Sequence, residues 1–172
     1  METFNTFYFG GDPEGDPSSW TGFIRDEPLL VNREFFDTLD QKGCRWGFVS
    51  GAEPPSARFL LEQRLGLQNP PLIAMGDAPD KPDTEGLIRL ASTLMDCSLG
   101  SKAPAIAYLG DTVADVNTVM RAREQVPQQR WMSLAVVPPH LQSPEQSEAR
   151  AHYEENLRTA GADVIFSDTK EA

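Results

Sequence analysis

From Leu29 onward the chain alternates helical hydrophobic spacing with short β-rich apolar runs, and this alternation constrains the fold more than any other feature. Asn32 is placed to cap a helix through "REFFDTLDQKG", with Phe35, Phe36 and Leu39 on one face and Gly43 as its stop. "CRWGFVSG" reads as a buried strand, "PPSARFLLEQRLGL" as a helix closed by Gly66, and "PPLIAMG" as a short strand. "TEGLIRLASTLMD" repeats Leu87, Leu90, Ala91 and Leu94 at helical spacing. The pairs "AIAYLG"/"DTVADVNTVMRAR" and "RWMSLAVVP"/"PEQSEARAHYEENLRTAG" then alternate strand and helix, the last helix strongly polar, before "ADVIFSD" closes as a strand. Such alternation predicts an α/β fold with a mainly parallel sheet and helices on both faces. Ligands of such sheets gather beyond the carboxyl ends of the strands, where Ser50 and Asp111 fall.

Residues 1–21 differ in character. "GGDPEGDPSSWTG" reads as an irregular loop, and the aromatic, Thr-containing "FNTFYF" before it as a strand or the frayed end of something longer. The net charge of −11 and pI near 4.5 argue against nucleic acid or an anionic membrane as a partner. No stretch has the length of a membrane span or the layout of a signal peptide, and Cys44 and Cys97 lack ligand or redox spacing. A cytoplasmic location is the expectation.

Three places carry candidate chemistry. Ser50 and Gly51 end a strand, where a hydroxyl and free amides can seat an oxyanion, or where a serine simply bonds its own turn. Lys81, between Asp80 and Pro82, can point at a phosphate or lie solvated in its loop. Asp111 and Asp115 stand one helical turn apart just beyond an apolar strand and suit magnesium, which takes a few carboxylates with water and substrate oxygens. Their bland alternative is an N-cap at Asp111 with Asp115 favouring the helix dipole.

Taken in order, these segments resemble the haloacid dehalogenase superfamily, in the branch whose cap is inserted early in the chain. "WGFVSG" is similar to its second motif, "KPDTEGL" to its third and "YLGDTVAD" to its fourth. The resemblance spans residues 22–172 as a Rossmann-like core and implies phosphate binding by Ser50, Gly51 and Lys81, with a magnesium site at Asp111 and Asp115. It implies a magnesium-dependent phosphatase-like hydrolase of a small phosphorylated metabolite. The first motif of that family, DxDx(T/V) with its nucleophilic aspartate, does not occur here. Asp12 and Asp16 have the wrong spacing, and most of the cap is missing. Residues 1–21 then stand as a remnant of the cap tail or a substitute strand. The family's first strand lies centrally, between those leading to Ser50 and Asp111. Its slot would be filled by the N-terminal aromatics, by a partner chain or by dimerisation. The expectation is a core inactive or incomplete as this chain alone. The alternative is a non-catalytic binding or assembly module derived from such a phosphatase.

Overall fold

The structure, a computed structural model, describes residues 2–171, and the chain divides into two compact units, Met1–Ala78 and Pro79–Ala172. In the first unit the aromatic opening is a helix, α1 (Glu2–Tyr8), where a strand had been possible. Helical geometry places Phe4 and Tyr8 one turn apart, and their rings stack at 5.2 Å. The chain then doubles back, so that Phe9, Trp20, Ile24 and Phe59 form one buried cluster.

Helix α2 (Arg33–Gln41) begins where Asn32 Oδ1 accepts the Phe35 amide at 3.2 Å, and the chain leaves it through Gly43 at φ +72°. Strand β1 (Phe48–Val49) is much shorter than its apolar run. It pairs in parallel with β2 (Leu72–Ile73), in front of which Pro70 and Pro71 have no amide hydrogen with which to lengthen the ladder. Between the two strands, α3 (Pro54–Arg58) continues as a π-helical stretch (Phe59–Arg64), in which the Leu65 amide reaches the Leu60 carbonyl at 2.9 Å. A second core forms around Phe36, Leu61 and Leu67, with Trp46, Phe48 and Leu72 against it.

The second unit carries α4 (Glu85–Met95), β3 (Ile106–Gly110), α5 (Val113–Gln125), β4 (Trp131–Val136), α6 (Ser147–Ala160) and β5 (Val164–Phe166). The strands run parallel in the order β3-β4-β5, with Tyr108 opposite Ser133 and Ala135 opposite Ile165. Side chains alternate along a strand, so Ile106, Tyr108, Trp131, Ala135 and Ile165 share one face. That face receives Leu87 of α4, Val116, Val119 and Ala122 of α5, and Leu157 of α6. The polar helix α6 buries only Leu157 completely, as its composition predicts.

The protein is therefore α/β with small parallel sheets. Among the described residues β1 pairs with β2 alone and β3 with β4 alone, so the strands form two sheets. No helix among the described residues is long and apolar enough to cross a membrane.

One defect lies inside the second unit. Ser133 is almost fully buried and its Oγ has no hydrogen-bond partner among the described residues. Its amide is satisfied by Asp163 Oδ2 at 2.7 Å, so only the hydroxyl is orphaned. Removing a buried unsatisfied group recovers its desolvation cost, so Ser133→Ala is expected to raise stability by about 1 kcal/mol in urea denaturation. A loss of stability would show that the hydroxyl is bonded in solution.

Candidate functional site

The end of β3 brings together most of the chemistry in the second unit. Backbone geometry decides how the following helix begins. Thr112 is extended (φ −115°, ψ 157°) and is the N-cap of α5, so the cap falls one residue after the Asp111 that the sequence offered for it. Thr112 Oγ1 accepts the Asp115 amide at 3.2 Å, while Asp115 Oδ2 accepts the Thr112 amide at 3.0 Å and its hydroxyl at 2.6 Å. This is a reciprocal capping box, with aspartate in the place glutamate often takes.

The other carboxylate oxygen of Asp115 faces a cation. Lys81 Nζ donates to Asp115 Oδ1 at 2.6 Å, and the Tyr108 hydroxyl donates to the same oxygen at 3.1 Å. Lys81 enters from the loop before α4, through a cis Lys81–Pro82 peptide bond. Asp115 is 3% exposed, and four donor contacts account for its placement. Burial pushes its carboxyl up, but the Lys81 and Thr112 hydrogen bonds and the lysine charge together outweigh burial and hold it below the ordinary aspartate value.

Gly110 is what lets Asp115 lie there. A Cβ on Gly110 would stand 2.4 Å from the Asp115 Cβ and Cγ.

Asp111 is the open member of the pair. It is exposed, its carboxylate has no hydrogen-bond partner among the described residues, and its carbonyl accepts the Tyr153 hydroxyl at 2.5 Å. Its charge nonetheless reaches the same groups as that of Asp115. Burial, then Asp115 and finally Asp111 push the Tyr108 hydroxyl far up, and burial followed by Asp111 and Asp115 raises Tyr153. Both phenols are thereby kept as neutral donors around two carboxylates.

Lys81 and Asp115 are in direct contact, and Asp111 stands in the short connection between β3 and α5. Ser50 and Gly51 belong to the first unit. Ser50 Oγ accepts the Ala52 amide at 3.1 Å and its amide donates to Ile73 at 2.8 Å, which is the turn-forming role. Gly51 is exposed, with no atom within 4 Å of where a Cβ would stand. Asp12 and Asp16 are engaged locally, accepting the amides of Glu14 and Ser18. Tyr108, Thr112 and Tyr153 were not singled out from the sequence. The T-x-x-D spacing was the available signal for Thr112; nothing local marked the tyrosines.

As a place for magnesium the site is uneven. No group of three or more His, Cys, Asp or Glu side chains suited to a metal occurs among the described residues. Both oxygens of Asp115 are already engaged, one by an ammonium, whereas the Asp111 carboxylate is open. A cation that binds through one carboxylate plus water and phosphate oxygens fits Asp111; it does not fit direct ligation by Asp115 in this arrangement.

No protein-family model matches the chain, and no curated protein does.

Proposed function

We propose that the chain is the core of a magnesium-dependent phosphate-ester hydrolase of the haloacid dehalogenase type. Its substrate would be a small phosphorylated metabolite, and the chain alone would be inactive or nearly so. The observation that carries this reading is the Lys81–Asp115 ion pair beside the open Asp111 carboxylate at the carboxyl end of β3. An ammonium has three donors, and Asp115 takes one, so two remain for phosphoryl oxygens on a side chain a quarter exposed. Asp115 is then a positioning residue that holds the lysine, and Asp111 is the carboxylate that would carry magnesium. Bound there, the metal would supply the positive charge that offsets the acidic surface and the phosphoryl group. By the family resemblance Ser50 and Gly51, in the first unit, would bind phosphate; the Ser50 hydroxyl oxygen already accepts the Ala52 amide there and keeps its own O–H to donate. The attacking carboxylate is missing from the motifs the chain carries, and the edge of β3 left unpaired among the described residues is where a strand from a partner chain or a second copy would bring one.

The test has two parts. The isolated chain with magnesium is expected to show no Asp111-dependent turnover of p-nitrophenyl phosphate; turnover lost in Asp111→Asn would overturn incompleteness. Equilibrium dialysis is expected to show inorganic phosphate binding that requires magnesium and disappears in Asp111→Asn.

A specific observation favours a second reading, a non-catalytic binding or assembly module. The capping box and ion pair give Lys81, Thr112 and Asp115 a complete structural role with no ligand. Absence of magnesium-dependent phosphate binding would decide for it.

A further inference from the structure

In a chain of net charge −11, most arginines have an acidic partner: Arg33, Arg58, Arg89, Arg123, Arg150 and Arg158 all form ion pairs. Arg25 and Arg64 in the first unit form no ion pair among the described residues, and they line the same concavity. Arg25 and Arg64, with Ser18, Phe59 and Gln63, surround a space of about 240 Å³.

Each guanidinium is fixed by neutral acceptors. Arg25 Nη1 donates to the Trp20 carbonyl at 2.9 Å and the Ser18 carbonyl at 3.4 Å. Arg64 Nη1 donates to the Glu27 carbonyl at 2.5 Å and the Ile24 carbonyl at 3.1 Å. Carbonyls hold the side chains in place without cancelling their charge. The neighbouring carboxylates bond other groups and neither guanidinium: Glu27, which keeps its charge near Arg64, accepts the Tyr8 hydroxyl at 2.8 Å, Glu62 pairs with Arg58, and Asp16 accepts the Ser18 amide and hydroxyl.

The backbone contributes a second, independent sign. Phe59, Gln63 and Arg64 all lie on the π-helical stretch. In an α-helix, residues five apart point about 140° away from each other. The i→i+5 bonding of a π turn brings Arg64 back toward the side of Phe59, and such turns occur frequently at functional sites.

We propose that this concavity binds a small oxyanion, the phosphate or carboxylate group of a metabolite. Two pre-positioned guanidinium forks, each anchored through Nη1 with its other nitrogens unbonded among the described residues, match the paired oxygens of either group. The volume is below that of whole-cofactor pockets and suits the anionic group alone. This site lies entirely within the first unit and does not depend on the hydrolase reading.

The test follows the arginine Nε–Hε resonances of the full chain by NMR, in EDTA and at low ionic strength. Inorganic phosphate is titrated in one series and succinate in another. EDTA removes the magnesium that the hydrolase site requires, so the two proposals fail separately. Saturable shifts of Arg25 and Arg64 in the millimolar range or tighter are expected, with Arg150, which is paired to Glu154, unmoved. Response to phosphate alone or to succinate alone identifies the oxyanion. Arg25→Gln is expected to weaken binding about tenfold. Non-saturating shifts in both series, equal shifts at Arg150, or unchanged affinity in a folded Arg25→Gln variant would overturn the proposal. The wild-type titration decides it even if that variant does not fold.

Discussion

Gly110→Ala is expected to destabilise the second unit by about 3–5 kcal/mol, at or beyond the upper range for overpacking a core. The cause is contact, since Gly110 has no left-handed backbone angle to explain it. The added methyl would sit 2.4 Å from two carbons of Asp115 and 2.7 Å from Oδ2. An overpacked site usually relieves itself by moving the neighbour, but here that neighbour is tied to Thr112, Lys81 and Tyr108. Displacing Asp115 forfeits the capping box and the ion pair together; leaving it in place keeps the clash. Urea denaturation of Gly110→Ala beside Gly51→Ala makes the measurement specific. The Gly51 position has open space, so its alanine variant should stay within about 0.5 kcal/mol of wild type. A Gly110→Ala protein as stable as wild type would mean that Asp115 does not approach β3 so closely.

That close approach shows where sequence reasoning reaches and where it stops. Helices α2, α4 and α5 are legible from apolar spacing, reinforced at α2 by Asn32 and Gly43, and α6 as a long polar segment between two strand-like runs. Strand β4 is legible as an apolar run broken only by Ser133. The opening aromatics are ambiguous, since Phe and Tyr suit strands, yet Phe4 and Tyr8 meet only if the segment is helical. The extent of β1 depends on what its neighbour can donate, and two prolines before β2 limit that.

The candidate site divides in the same way. Asp111 and Thr112 are both good capping residues, and only the extended backbone at Thr112 selects it. Lys81 meets Asp115 across 34 residues, a pairing that no local pattern encodes. The oxyanion concavity is less visible still, because it depends on a π turn and on two arginines held by backbone carbonyls. Local physics is written locally; pairings made by the fold are not.

Lys81→Met is the second large effect, expected to cost about 2–3 kcal/mol. Removing one partner of a buried ion pair usually costs about 3–5 kcal/mol, because a charge is left without compensation. The figure is lower here because Tyr108 and Thr112 still donate to Asp115 and the lysine side chain is a quarter exposed. Asp115→Asn should cost less, since its partner can turn to water, and the double variant should cost less than the two singles added.

The pH dependence gives the sign. Burial raises the Asp115 carboxyl, but lysine and threonine together leave it below the ordinary aspartate value when folded. Its contribution is therefore complete above the unfolded value and is lost as pH falls through the lower folded one. Protonated Asp115 needs no cation, so the stability gap between wild type and Lys81→Met should be widest near neutrality and narrow below about pH 4. Urea titrations at a series of pH values measure that gap directly. If it stays constant through the acid range, the lysine is not paired with a carboxylate, and with the pair would go the observation on which the hydrolase reading rests.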